Sequence, residues 1–160
     1  MKKIYVDSNI FVDAEVPERK HHQKSKEFLE QVLHRNDIRV FTSIFTLLEI
    51  ASAIRRQIGR RDVYRYLYNI QRKYKEGQVI WLPPTRKHIP FEDLIRDLIE
   101  TAIVNATPSG DTIHIHTMIS HKIKTIITWD KHHFQEVRGK KEVLTPEEFL
   151  SKLQLFKQEK

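Results

Sequence analysis

The sequence predicts an α/β sandwich around a central parallel β-sheet. Three observations carry that expectation. Short runs of strand character at Ile4–Val6, Arg39–Phe41 and Thr125–Thr128 are separated by long stretches with helical periodicity. The last of these, "TIIT", is β-branched throughout, as in a strand buried on both faces. Two of the runs lead into a carboxylate, Asp7 and Asp130. In open parallel sheets, ligands sit outside the carboxyl ends of the strands.

Between those runs the chain reads as follows. Phe28, Leu29, Val32 and Leu33 recur at helical spacing within His21–Arg35. Thr42 or Ser43 is expected to cap a helix containing Phe45, Leu48 and Ile54, with Gly59 ending or bending it. A helix continues over Asp62–Gln71, and Val79–Leu82 reads as extended before Pro83-Pro84. Phe91, Leu94, Ile95, Leu98, Ile99 and Ala102 follow the i, i+3, i+4, i+7 pattern of an amphipathic helix. "TPSGD" at Thr107–Asp111 reads as a loop, followed by a helix from about Thr112 to His121. "TPEEF" places Thr145 as N-cap, Pro146 at the first helical position and Glu148 three after the cap, which is a capping box. Alternating strands and helices, joined by right-handed crossovers, give the sandwich.

The 160 residues suit one domain, read as 1–155, with 156–160 as a short charged C-terminal tail. Lys and Arg number 28 against 21 Asp and Glu, a formal charge of +7 that favours a polyanionic partner. The absence of Cys excludes disulfides, thiolate metal sites and Cys nucleophiles. No stretch approaches the roughly 20 apolar residues of a membrane-spanning helix, and Asp7 and Asn9 interrupt any secretory apolar region. A cytoplasmic protein with no membrane partner is expected.

Two further acids join Asp7 and Asp130. Asp111 follows Ser109-Gly110, and Glu49 lies within "TLLEIASAIRR", in a largely apolar helix. Each has a plain structural alternative. Asp111 is favourable near a helix N-terminus by about 0.3–1 kcal/mol, Glu49 suits a solvent-facing helix position, and Asp130 suits a turn with Lys131. Asp7 is hardest to explain structurally, because it follows a buried-looking strand. Converged carboxylates cannot all ionise without a counter-charge. All-oxygen ligation suits Mg²⁺ or Mn²⁺ rather than zinc. An acidic metal site in a basic protein fits phosphodiester cleavage.

"VDSNIFVD", "TLLEIASAIRR", "SGDTIHIHTMI" and "IITWDKHHF" resemble, in order, the signature segments of PIN-domain nucleases, with the likeness strongest to VapC-type toxins of toxin–antitoxin pairs. The resemblance spans nearly the whole chain. It implies an α/β/α sandwich with a central parallel sheet and a Mg²⁺- or Mn²⁺-dependent endoribonuclease. It implies that Asp7, Glu49, Asp111 and Asp130 form the catalytic, metal-binding quartet, and that Asn9 and Thr128 orient the acids by hydrogen bonding. It also implies a homodimer and a partner antitoxin protein. One position departs from the pattern: His132 stands where many relatives carry a further acid, and the aromatic residue falls one place later, at Phe134. His114 and His116 lie near Asp111 but two residues apart, which does not put both on one helix face, so they are read as structural or surface residues.

"RRQIGRRDVYRYLYNIQRKYK" at Arg55–Lys75 concentrates the positive charge and interleaves tyrosines. Cations there can contact RNA phosphates while aromatic faces stack on bases, and Arg55, Arg56, Arg60 and Arg61 are the candidate RNA-binding residues. Tyr64 and Tyr68, four apart, suit a core or a dimer face. Other readings stand beside the toxin nuclease: an RNA-maturation nuclease without toxin role, a catalytically inactive PIN-like RNA-binding scaffold, and a phosphatase with Asp7 as nucleophile. The last lacks the second Asp two positions on, where Asn9 stands.

Overall fold

A computed structural model describes residues 1–58, 63–134, 137 and 141–158. The strands are β1 (Lys2–Val6), β2 (Ile38–Ser43), β3 (Ile80–Leu82), β4 (Thr125–Ile127) and β5 (Glu142–Leu144). The helices are α1 (Ser8–Glu15), α2 (His22–Leu33), α3 (Thr46–Ile58), α4 (Val63–Glu76), α5 (Phe91–Asn105), α6 (Ser109–Ser120) and α7 (Pro146–Gln158). The five strands form one sheet in the order β3-β2-β1-β4-β5, and every pairing is parallel. The chain winds outward from β1 through β2 to β3, then returns to the other side of β1 for β4 and β5. That reversal makes the β1–β4 boundary a topological switch point, with a crevice at its carboxyl end.

Two apolar layers sandwich the sheet. On one face Ile4, Val6 and Ile127 pack with Phe11, Phe28 and Ile50 from α1, α2 and α3, and α4 and α7 complete that layer. On the other face Tyr5, Phe41 and Ile126 pack with Ile115 and Met118 of α6. Ile126 and Ile127 therefore enter opposite layers, as the period of a strand requires, and both are buried.

Several sequence expectations shift. Thr42 and Ser43 do not cap α3. Both belong to β2, and α3 starts at Thr46, whose hydroxyl bonds that of Thr42 at 2.8 Å. β-branched Thr42 extends the strand and uses its hydroxyl to anchor the next helix instead of capping it. α6 begins at Ser109, earlier than the expected start near Thr112, so Asp111, read at the start of a helix, stands in its first turn. Helix α1 and strand β5 are additional to the expected elements. The run after Asp7 turns helical because Asp7 is its N-cap, with φ −67° and ψ 153°. The capping box of α7 is present: the Thr145 N–H donates to Glu148 Oε2 at 2.8 Å and the Glu148 N–H to Thr145 Oγ1 at 3.2 Å. α7 runs on to Gln158, into the stretch read as a tail.

α5 is helical as its periodicity requires, but its apolar stripe is largely uncovered. Phe91 is 70% exposed, Ile99 55% and Ile103 75%. Among the described residues, α5 packs chiefly against α6. Among the described residues, no helix is long and apolar enough to cross a membrane.

Ile127→Ala should cost roughly 2–5 kcal/mol in denaturant unfolding, through lost burial and a residual cavity. Leu48→Ala, at a side chain 62% exposed, should stay within about 0.5 kcal/mol. Equal losses at the two positions would contradict the two-layer core.

Candidate active site

The crevice is built from strand ends and helix starts. Asp7 directly follows β1, and its N–H continues the sheet ladder by donating to the Ile127 carbonyl at 3.0 Å. Its side chain is 4% exposed. One carboxylate oxygen accepts from the Ser8 N–H at 2.7 Å, and the other accepts from the Thr128 hydroxyl at 2.8 Å. Thr128 is a hub: its Oγ1 also accepts from Asn9 Nδ2 at 2.9 Å and from the Asp130 N–H at 3.0 Å. Asn9 Oδ1 accepts in turn from the Trp129 N–H at 3.4 Å. One hydroxyl thus fixes the rotamer of Asp7 and the turn that carries Asp130.

Glu49 comes from the first turn of α3, placed by the Thr42–Thr46 contact. Its Oε2 lies 3.0 Å from Nε2 of His114, which is buried on α6. His114 Nδ1 lies 2.6 Å from the Tyr5 hydroxyl. Asp111, in the first turn of α6, lies 3.0 Å from His133 Nδ1, and Asp130 lies 3.3 Å from the same nitrogen. His133 belongs to a single 3₁₀ turn, His132–Phe134, seated by buried Phe134.

The acids feel one another. Burial pushes the Asp7 carboxyl up, with Glu49 adding to the rise, against the lowering influence of His114, Thr128 and Ser8. Burial and the Asp7 charge push Asp111 up, and Asp130 adds to this. Burial would raise Glu49 as well, but the hydrogen bond and charge of His114 hold it below the ordinary value. Burial would lower His114, yet Glu49, Asp7 and Asp111 raise it. The four predicted acids therefore converge on one electrostatic cluster.

A PIN domain profile matches residues 4–140. The chain belongs to the PIN domain family. Solved structures share its fold at low identity. The VapBC2 complex of Rickettsia felis bound to a promoter DNA fragment matches with a TM-score of 0.61 and 12% identity, over 88% of this chain and 96% of that one. VapC20 of Mycobacterium tuberculosis, a Sarcin-Ricin loop cleaving toxin, matches with a TM-score of 0.57 and 17% identity, over 77% of this chain and 86% of that one. FitAcB of Neisseria gonorrhoeae matches with a TM-score of 0.57 and 16% identity, over 89% and 97%. No curated protein matches the sequence.

Among the described residues of this PIN domain, no three Asp, Glu or His side chains are arranged as ready metal ligands. Glu49 and Asp130 are instead drawn to histidines. The donor set nevertheless fits a hard divalent cation: four carboxylates, two with pKa values raised by burial and by a neighbouring acid, at the mouth of a parallel sheet. Asp7, Glu49, Asp111 and Asp130 are the side chains that would hold it.

Two functional-site neighbours escaped the sequence reading. His114 is not a surface residue. It stands three after Asp111, the spacing that puts both on one helix face; comparing it only with His116 hid this. His116 is also buried, with Nδ1 3.1 Å from the Thr101 hydroxyl, so the structural reading holds there. His133 stands three after Asp130, but a turn has no periodicity to predict its direction. Of the candidate RNA contacts, Arg55 and Arg56 are exposed on α3, while Arg60 and Arg61 lie outside the described residues, as do Gly59 and Asp62. Tyr64 and Tyr68 are exposed and do not join the core, whereas Tyr74 is fully buried. Some of the basic arm is paired internally, Arg72 with Glu76 and Lys73 with Glu15.

The raised pKa of Asp111 carries a stability consequence. In the unfolded chain an Asp ionises near pH 3.9, while the folded carboxyl holds its proton to higher pH. The folded state therefore binds more protons above that point, and stability falls as pH rises through the window. Without metal, Asp111→Asn should flatten the loss of stability between about pH 4 and pH 7. Chemical denaturation across that range tests it. A steeper loss in the variant would contradict the assigned repulsion.

Proposed function

We propose that this PIN domain is a metal-dependent endoribonuclease, the toxin of a toxin–antitoxin pair, acting in the cytoplasm. The observation that carries the reading is the convergence of Asp7, Glu49, Asp111 and Asp130 at the switch-point crevice of a chain with a formal charge of +7. When bound, Mg²⁺ or Mn²⁺ would activate water for in-line attack on phosphorus and offset charge on the leaving oxygen. The protein's own contribution is placement. The Thr128 hydroxyl and the Ser8 N–H leave Asp7 little rotamer freedom, and Asn9 braces Thr128. Arg56 follows Glu49 by seven residues, two turns along the same face of α3, so an RNA backbone at the crevice can run past it. Arg55, exposed beside it, adds to that basic path, and Arg60 and Arg61, outside the described residues, remain candidate RNA contacts from the sequence.

The partners follow the same logic. The uncovered stripe of Phe91, Ile99 and Ile103 on α5 supports a homodimer, because apolar stripes of this kind mark protein contacts. An antitoxin is supported by the VapBC2 complex among the structural relatives. An RNA-maturation nuclease would use the same site, and an inactive RNA-binding scaffold would retain the fold without cleaving. The identity of the gene beside this one and a cleavage assay separate the three.

Asp7→Asn and Asp130→Asn should each abolish RNA cleavage with the fold intact by circular dichroism. A chelator should silence the wild type, and added Mg²⁺ or Mn²⁺ should restore it. Full cleavage by purified protein in excess chelator would contradict the mechanism.

Replacing Arg55 and Arg56 with Ala should weaken binding across RNA sequences. The slope of log affinity against log salt should flatten by about 1.4, since each contact to a single strand contributes about 0.7. An unchanged slope would remove α3 from the substrate path.

A further inference from the structure

His114 joins three elements, α6, β1 and α3. It lies on α6, bonds the β1 residue Tyr5 through Nδ1 at 2.6 Å and bonds the α3 residue Glu49 through Nε2 at 3.0 Å. Its side chain is 2% exposed, whereas that of Glu49 is 41% exposed. A buried, doubly bonded ring thus grips a half-exposed carboxylate whose neighbours repel it. The His114 bond is the main hold on the Glu49 side chain, with Ser8 adding a weaker pull.

The direction of the chain of bonds is set by proton inventory. A carboxylate only accepts, so Nε2 must carry the proton that Glu49 receives. That holds for neutral and for charged imidazole alike. Nδ1 is satisfied in both cases, because a phenol both donates and accepts. Tyr5 keeps its own proton: burial, then the Asp7 charge, push its pKa well up. The bond to Glu49 is therefore kept whichever charge His114 carries, and it strengthens when the ring is charged.

We infer that His114, braced by Tyr5, is the positioning residue that aims Glu49 into the metal-binding crevice. One carboxylate oxygen is held by Nε2, leaving the other, with only the weaker pull of Ser8, available to a cation. Partners that orient a ligating carboxylate or imidazole are worth about 10- to 100-fold in metal affinity. This inference rests on the reading of Glu49 as a metal ligand.

The test measures Mn²⁺ affinity of the full chain by electron paramagnetic resonance, with thermal unfolding alongside. His114→Leu should weaken Mn²⁺ binding by about tenfold or more, and His114→Gln, which keeps an N–H near Nε2, should recover most of that loss. Tyr5→Phe should weaken binding in the same direction without changing the core volume. In a Glu49→Gln background, His114→Leu should cause no further loss, since the two act as one unit. A merely structural His114 would lower the unfolding temperature and leave Mn²⁺ affinity unchanged. Wild-type or tighter binding by His114→Leu, with Glu49→Gln weakened, overturns the inference and leaves Glu49 a ligand. An additive loss in the double variant also overturns it. Unchanged binding by Glu49→Gln, or no Mn²⁺ binding by the wild type, overturns the ligand reading and the inference together. Should His114→Leu fail to fold, Tyr5→Phe decides: unchanged Mn²⁺ affinity there overturns the inference.

Discussion

Asp7 gives its backbone N–H to the Ile127 carbonyl, extending the β1–β4 ladder one residue past the paired Val6 and Ile127. The rest of the crevice depends on that parallel junction. Because the two strands run the same way and end together, the residues that follow them emerge on the same edge. Thr128 then lies close enough to bond Asp7, and its remaining lone-pair capacity organises Asn9 and the Asp130 turn. An antiparallel pairing would send the two acids to opposite edges. Ile126 and Ile127, buried in opposite layers, hold the short strand β4 in the register that this requires.

Electrostatics supplies the second constraint. Four acids on one edge would repel strongly, and the free chain meets this with histidines: His114 against Glu49, and His133 shared by Asp111 and Asp130. Asp7 has no such ion pair of its own among the described residues. It is held by neutral donors, and its pKa rises with burial. The exposed cations of α3, Arg55 and Arg56, lie outside this cluster.

Much of this was legible in the sequence, for physical reasons that differ by residue. Asp7 stood out because a carboxylate at the end of a buried strand has no packing reason to be there, and Asp130 because it follows a second strand to the same edge. Glu49 and Asp111 were candidates with ordinary helical explanations, and the resemblance to PIN domains gave them the weight of a quartet. α5 was legible as a helix, since periodicity fixes a stripe, but periodicity does not say what covers it, and Phe91 and Ile103 are open. α1 was missed because an apolar run after a strand reads as more strand until Asp7 is recognised as a cap. β5 is three residues with a charged first position, too short for pattern. His114 was available from its spacing to Asp111. His133 was not, because its direction is set by how Phe134 anchors the turn.

The claim on which the rest turns is that the four acids share a cation. A crystal soaked in Mn²⁺ and measured at the manganese absorption edge would test it directly. An anomalous peak bonded by Asp7 at the carboxyl end of β1, with Asp111 or Asp130 released from His133 to join it, is the predicted result. A peak only at histidines remote from Asp7, or no peak at Mn²⁺ concentrations that support cleavage, would contradict it.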